Sequence, residues 1–162
     1  MNQTAILLTS ITIGVVGWGI IAKLWVIPWL KDNPFHKGLA LLTIPHVFRY
    51  IGLSFLITGV TNSPLDPRFA TPAAYGDLIA AILALIALTA LLAKSRYSVL
   101  FVWIFNIVGF ADFLVAVTQG LRYTHPEEMG ATYFIPILAV PLLFVSHLLI
   151  FWMLVTRNRK ET

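Results

Sequence analysis

The sequence contains no cysteine, which rules out disulfides, thiolate metal sites and cysteine nucleophiles. Charge is also scarce. Only 11% of its 162 residues are Asp, Glu, Lys or Arg, against about 25% in a soluble domain. It has no P-loop, no GxGxxG following a strand, no GxSxG elbow and no HExxH helix. The stretch Gly52-Leu53-Ser54-Phe55-Leu56 lacks the spacing of a nucleophile elbow. No metal site is expected, because His125, Glu127 and Glu128 read as a solvated polar turn. The opening residues Met1-Asn2-Gln3-Thr4 lack a basic region, so no cleaved signal peptide is expected. Internal repeats and low-complexity tails are missing too.

Apolar side chains fill the space that charge leaves. They make up 59% of the chain, more than a short soluble fold could hide from water, so the solvent must be lipid. A helix needs about 20 apolar residues to cross ~30 Å of hydrocarbon. Five segments meet that requirement, at about residues 5–30, 39–61, 73–93, 97–120 and 132–155. Turn chemistry separates them: Lys31-Asp32-Asn33-Pro34, then Asn62-Ser63-Pro64 with Asp66-Pro67, then Lys94-Ser95-Arg96, then His125-Pro126. Transmembrane strands would alternate in polarity, whereas Leu78 to Leu92 is apolar on all sides. The fold class is therefore all-α, a single polytopic transmembrane helix bundle with five membrane-spanning helices. Lys23 interrupts the first segment and makes it the one least sure to span.

The basic residues give an orientation. With the C-terminus in the cytoplasm, Lys31, Lys37, Lys94, Arg96, Arg157, Arg159 and Lys160 are all inside, and Arg68 and Arg122 are outside. This is the positive-inside bias, and it places the N-terminus outside. The net charge of +4 is thereby explained by topology, with no nucleic-acid partner implied. The partner is the bilayer, which in a bacterial source would be the cell (inner) membrane. Trp25 and Trp29 suit the inner interface.

Packing features are also visible. Gly76, Ala80, Ala84 and Ala87 form a small-residue stripe on the third helix, as do Gly109, Ala116 and Gly120 on the fourth. Gly14, Gly17 and Gly19 on the first suit an internal contact or a homo-oligomer contact. Pro136 and Pro141 should open the fifth helix and free carbonyls.

Six residues stand out for polarity at membrane depth: His46, Arg49, Asp77, Asn106, Asp112 and His147. Such groups face bundle interiors and are functional candidates by default. A rise of about 1.5 Å per residue brings Arg49, Asn106, His147 and Asp112 toward one layer near the midplane. Asp77 falls near the outer surface, where a carboxylate meets the helix dipole. Tyr50 shares a helix face with His46 and Arg49. Arg49 cannot lose its proton, so it needs an anion. Asp112 is the expected partner in a packing bridge, and a bound anionic ligand is the functional alternative.

These residues, His46, Arg49, Tyr50, Asn106, Asp112 and His147, form the expected ligand site. The favoured reading is a membrane protein that binds or transports a small anionic or amphipathic ligand between its helices. Three alternatives are a b-type haem protein with His46 and His147 as axial ligands, a structural subunit of a membrane complex, and an intramembrane enzyme using histidine and aspartate as acid and base.

Overall fold

The computed structural model describes residues 2–156. Among them, five helices are long and apolar enough to cross a membrane: α1 (Gln3–Asp32), α2 (Phe35–Leu56), α3 (Pro67–Leu92), α4 (Ser98–Tyr123) and α5 (Gly130–Thr156). The only β-type pairing among these residues is an isolated bridge between Thr58 and Thr61. Short links after α1 and α3 place Lys31, Lys37, Lys94 and Arg96 at one end of the bundle, the basic end. The longer α2–α3 and α4–α5 connections meet at the other, the loop end. Arg157, Arg159 and Lys160, which also enter the charge count, lie outside the described residues.

Helices α2 to α5 form a ring in which α3 packs on both α2 and α4, and α5 closes it against α2 and α4. Helix α1 leans on the outside of α5. It runs unbroken past Lys23, which is exposed. Gly14 makes its close contact: a Cβ there would lie 2.8 Å from Pro141 Cγ and 3.1 Å from the Ile137 carbonyl oxygen. Gly17 and Gly19 face no described atom within 4 Å.

The interior of the ring is layered along its length. Toward the basic end is an apolar layer that includes Phe35, Leu39, Ala84, Ala87, Phe105, Ile150 and Met153. Toward the loop end is a second, with Phe55, Leu65, Phe69, Ala73 and Met129. The buried polar residues His46, Arg49, Asn106, Ser146 and His147 come between them in the chain. Ala80, Ala84 and Ala87 are fully buried, so the small-residue stripe lets α3 lie close to its neighbours.

Prolines set the irregular turns. A proline lacks the N–H that would bond to the carbonyl four residues back. In α1 the backbone widens to a π turn over Ala22–Val26 just ahead of Pro28, with the Ile27 N–H reaching the Ala22 carbonyl. In α5 the same happens over Ile135–Ala139 ahead of Pro141, where the Val140 N–H reaches Ile135. The opening of the fifth helix expected from its prolines is this turn. In α2, Pro45 lies inside the α-helical part, which then tightens to a 3-10 helix over Phe48–Leu56. Residues three apart eclipse in that geometry, so His46, Arg49, Gly52 and Phe55 fall on one buried line.

The helix limits that differ most from the sequence reading flank the α2–α3 connection. Helix α2 stops at Leu56, where Ile57 turns extended. Helix α3 starts at Pro67, not near residue 73. Asp66 caps it by accepting from the Arg68 N–H at 2.8 Å, and Pro67 occupies the first turn, where its missing N–H costs nothing. Hydrogen bonds from the Arg68 side chain and backbone pull the Asp66 carboxyl down to about 2. Pro72 therefore sits inside α3. The loop end is tied together by backbone bonds from Asn62 N–H to the Glu128 carbonyl and from Ala131 N–H to the Val60 carbonyl. Gly130 has φ +52, and a Cβ on it would lie 2.5 Å from the Val60 carbonyl oxygen, so only glycine fits there.

Candidate functional site

Arg49 is the hub of the polar layer. Its side chain is 2% exposed, and each guanidinium nitrogen donates in a different direction. Nε donates to Asp77 Oδ1 on α3 at 2.7 Å. Nη1 donates to the Gly109 carbonyl on α4 at 2.9 Å. Nη2 donates to Asp112 Oδ2 on α4 at 2.6 Å. One cation thus joins three helices. The planar fork of arginine suits this, since a lysine ammonium cannot hold three fixed directions.

Glycines make room for the cluster. A Cβ on Gly52 would fall within the Asp77 carboxyl group, and one on Gly76 within that of Asp112. A Cβ on Gly109 would lie 3.2 Å from both Arg49 Nη1 and His147 Cε1.

The histidines lie on the basic side of this hub and are fully buried. Ser146 directs its hydroxyl hydrogen to the Leu142 carbonyl at 2.9 Å. Its Oγ therefore accepts from His46 Nε2 at 2.9 Å, which leaves His46 Nδ1 as a lone pair. Asn106 donates from Nδ2 to the His147 carbonyl at 3.3 Å, so its Oδ1 faces His147 Nδ1, at 2.7 Å, and accepts from it. His147 Nε2 is then the second lone pair. Neither lone pair has a hydrogen-bond partner among the described residues. These partners assign the tautomers, with Nε2–H on His46 and Nδ1–H on His147.

The ring centroids of His46 and His147 are 4.2 Å apart, tilted at 56°, and Phe105 packs on both. Axial haem ligands stand on opposite faces of a porphyrin. Two imidazoles in direct contact leave no slot for one, so the bis-histidine haem reading does not fit this geometry. The described residues also hold no group of three or more His, Cys, Asp or Glu side chains arranged for a metal ion.

Of the six residues singled out as the ligand site, Arg49, Asp112, His46, His147 and Asn106 come together in this layer. Tyr50 does not: it is half exposed on the outer face of α2, beside Phe48. The 3-10 winding rotates it away from the line that buries His46 and Arg49. Asp77 moves in the opposite sense. Read from sequence as a first-turn carboxylate, it is a direct partner of Arg49, because α3 starts a turn and a half earlier than its composition suggests. Ser146 also joins the layer; its placement one residue before His147 was the available signal.

A cavity of about 250 Å³ lies between α1, α4 and α5. Leu7, Ile11, Val117, Pro136 and Val140 contribute to its walls, Arg49 and Asp77 to its floor, and Arg122 and His125 to its loop end. The Thr124 Oγ1 on its wall is buried and has no hydrogen-bond partner among the described residues. A second cavity, about 200 Å³, touches the same Arg49 and Asp77 from the side of Pro45, Phe48 and Leu142. His46 and His147 line neither cavity. The ion cluster is thus the part of the polar layer that a molecule entering the bundle would meet.

No curated protein and no solved structure matches the chain. A family model matches residues 6–155, from α1 to the last turn of α5. The chain belongs to that family, described as a domain of unknown function, DUF8737.

Proposed function

We propose that this protein binds a small amphipathic molecule in the cavity between α1, α4 and α5, and that it serves as a membrane receptor or carrier for that molecule. The observation that carries the reading is that an apolar-walled cavity ends on the Arg49–Asp77 ion pair. Small-molecule sites have this character, with mostly apolar walls and a few fixed polar groups that orient the ligand. About 250 Å³ corresponds to roughly eight waters at ~30 Å³ each, a space suited to a compact amphiphile. The π turn of α5 borders both cavities through Ile135, and proline-broken helices of this type recur at transporter sites.

Filling the cavity tests the proposal. Leu7 lies on α1, the peripheral helix, so a larger side chain there perturbs the ring least. Protein purified in mild detergent should yield a small amphiphile in its organic extract by mass spectrometry. Leu7→Trp should elute as the same monodisperse species and lose that molecule. Identical extracts from the two would reject the cavity as the binding site.

The proposed orientation puts the loop end outside the cell and the basic end in the cytoplasm, on the positive-inside rule. The absence of cysteine makes this simple to check. A membrane-impermeant maleimide added to intact cells should label Glu127→Cys and leave Arg96→Cys unlabelled until the cells are opened. The reverse pattern would invert the protein in the membrane.

A further inference from the structure

We infer that the polar end of the bound molecule is cationic, an ammonium-type group seated against Asp77. The inference rests on the cavity reading above and adds the chemical class of the ligand.

Formal charge carries the argument. The polar layer holds one guanidinium and two carboxylates, Asp77 and Asp112. His46 and His147 each make a hydrogen bond through one ring nitrogen, and the other ring nitrogen is buried with no acceptor among the described residues to receive a second proton, so both rings count as uncharged. The layer as drawn is therefore one positive charge short, in the solvent where an unmatched charge is most costly. Arg49 is a poor seat for an anion, because three of its N–H groups already donate to protein acceptors and the two carboxylates that flank it would repel a further negative charge. Unused acceptors lie beside it. Asp77 Oδ2 and Asp112 Oδ1 receive no hydrogen bond among the described residues, and the two side chains keep 14% and 16% of their surface accessible. Asp77 lines both cavities. A molecule with an apolar body and a charged donor would place the body between Leu7, Val117 and Val140 and the donor on Asp77. This assignment differs from the anionic ligand that the sequence suggested at Arg49.

A proton could also supply the missing charge, but a proton needs no cavity. The apolar space that ends on Asp77 favours a ligand that brings the charge with it. Arg122 and His125 do not oppose this, because both are exposed at the loop end, where water and salt screen them. The unpartnered Thr124 Oγ1 on the wall could meet a second polar group on the same molecule.

Three probes of nearly equal shape separate the charge classes: benzylamine, benzyl alcohol and benzoate. Each is titrated at pH 7 against the full-length protein in mild detergent, with the melting temperature read from tryptophan fluorescence. Benzylamine should raise the melting temperature at roughly one-tenth the concentration that benzyl alcohol needs, the gain of a charge-assisted over a neutral hydrogen bond. Benzoate should have no effect. The benzylamine shift should vanish in Asp77→Asn, a variant that keeps the Arg49–Asp112 pair, and in Leu7→Trp. If Asp77→Asn does not fold, Asp112→Asn should weaken the shift by removing the same surplus charge.

A benzoate or benzyl alcohol shift of equal strength, abolished by Leu7→Trp, would overturn the cationic assignment and leave the cavity reading standing. A benzylamine shift unchanged in Asp77→Asn would overturn the assignment as well. No shift from any probe would reject the cationic assignment, and the extraction comparison would then decide the cavity reading independently.

Discussion

Arg49→Leu is expected to prevent the bundle from assembling. The substitution removes the only guanidinium in the layer and leaves Asp77 and Asp112 facing each other's charge across the space it occupied. Breaking a buried ion pair on one side costs about 3–5 kcal/mol, and here two pairs and the bond to the Gly109 carbonyl go together. Against a total stability of about 5–15 kcal/mol, that is a large share. The expected result is aggregated or low-yield protein on gel filtration in detergent. Arg49→Lys should fall between, with one carboxylate held and the Gly109 carbonyl left unmet. The variant carrying Arg49→Leu, Asp77→Asn and Asp112→Asn together should recover much of the fold, because no unpaired charge remains; complete replacement of buried ion networks is often close to neutral. A monodisperse Arg49→Leu protein with the parental melting temperature would show that the cluster does not bind the helices together. Recovery in the triple variant, with loss of the benzylamine response, would separate the fold-keeping role of Arg49 from the ligand role of Asp77.

The spans could be read from the sequence because the bilayer imposes length and composition together. Runs of twenty apolar residues, broken by charged turns, leave little freedom in placing five helices. The limits were less legible. The third span reads from about residue 73, yet Asp66 and Pro67 supply a cap that starts α3 earlier and leaves Pro72 inside it. That early start converts Asp77 from a terminal carboxylate to a buried partner of Arg49.

The second obstacle was the winding of α2. Depth counted at 1.5 Å per residue assumes an α-helix throughout. The Phe48–Leu56 segment is 3-10 and rises about 2.0 Å per residue, which carries Gly52 further toward the loop end and level with Asp77. The His46, Arg49, Gly52, Phe55 spacing does record this winding, since four residues at intervals of three form a straight line only in a 3-10 helix. The partnership of Arg49 with Asp112 needed no geometry: an arginine at that depth must find an anion, and Asp112 was at hand. His46 and His147 share the layer, as the ligand-site reading had them, but a shared layer does not distinguish two rings in contact from two rings separated by a porphyrin.

The same close approach makes Gly76 the most sensitive small residue in the site. Gly76→Ala adds one methyl group, and that methyl falls within the Asp112 carboxyl as it now stands. The Asp112 carboxyl must move and give up its bond to Arg49 Nη2, or α3 must back away from α4 along the stripe where Ala80, Ala84 and Ala87 are fully buried. Overpacking a core commonly costs about 1–3 kcal/mol, and disturbing a buried ion pair adds to it. A fall in melting temperature of several degrees is expected from this one methyl group. The cause can be isolated with a second substitution. Asp112→Ala removes the carboxyl that the methyl would strike, and Asp77 remains to neutralise Arg49. The Gly76→Ala, Asp112→Ala double variant should therefore melt higher than Gly76→Ala alone, a coupling that independent sites do not show. Asp112→Asn, which keeps the volume, should give no such rescue. If Gly76→Ala melts with the parent, α3 and α4 are not as close at the ion cluster as their glycine contact requires.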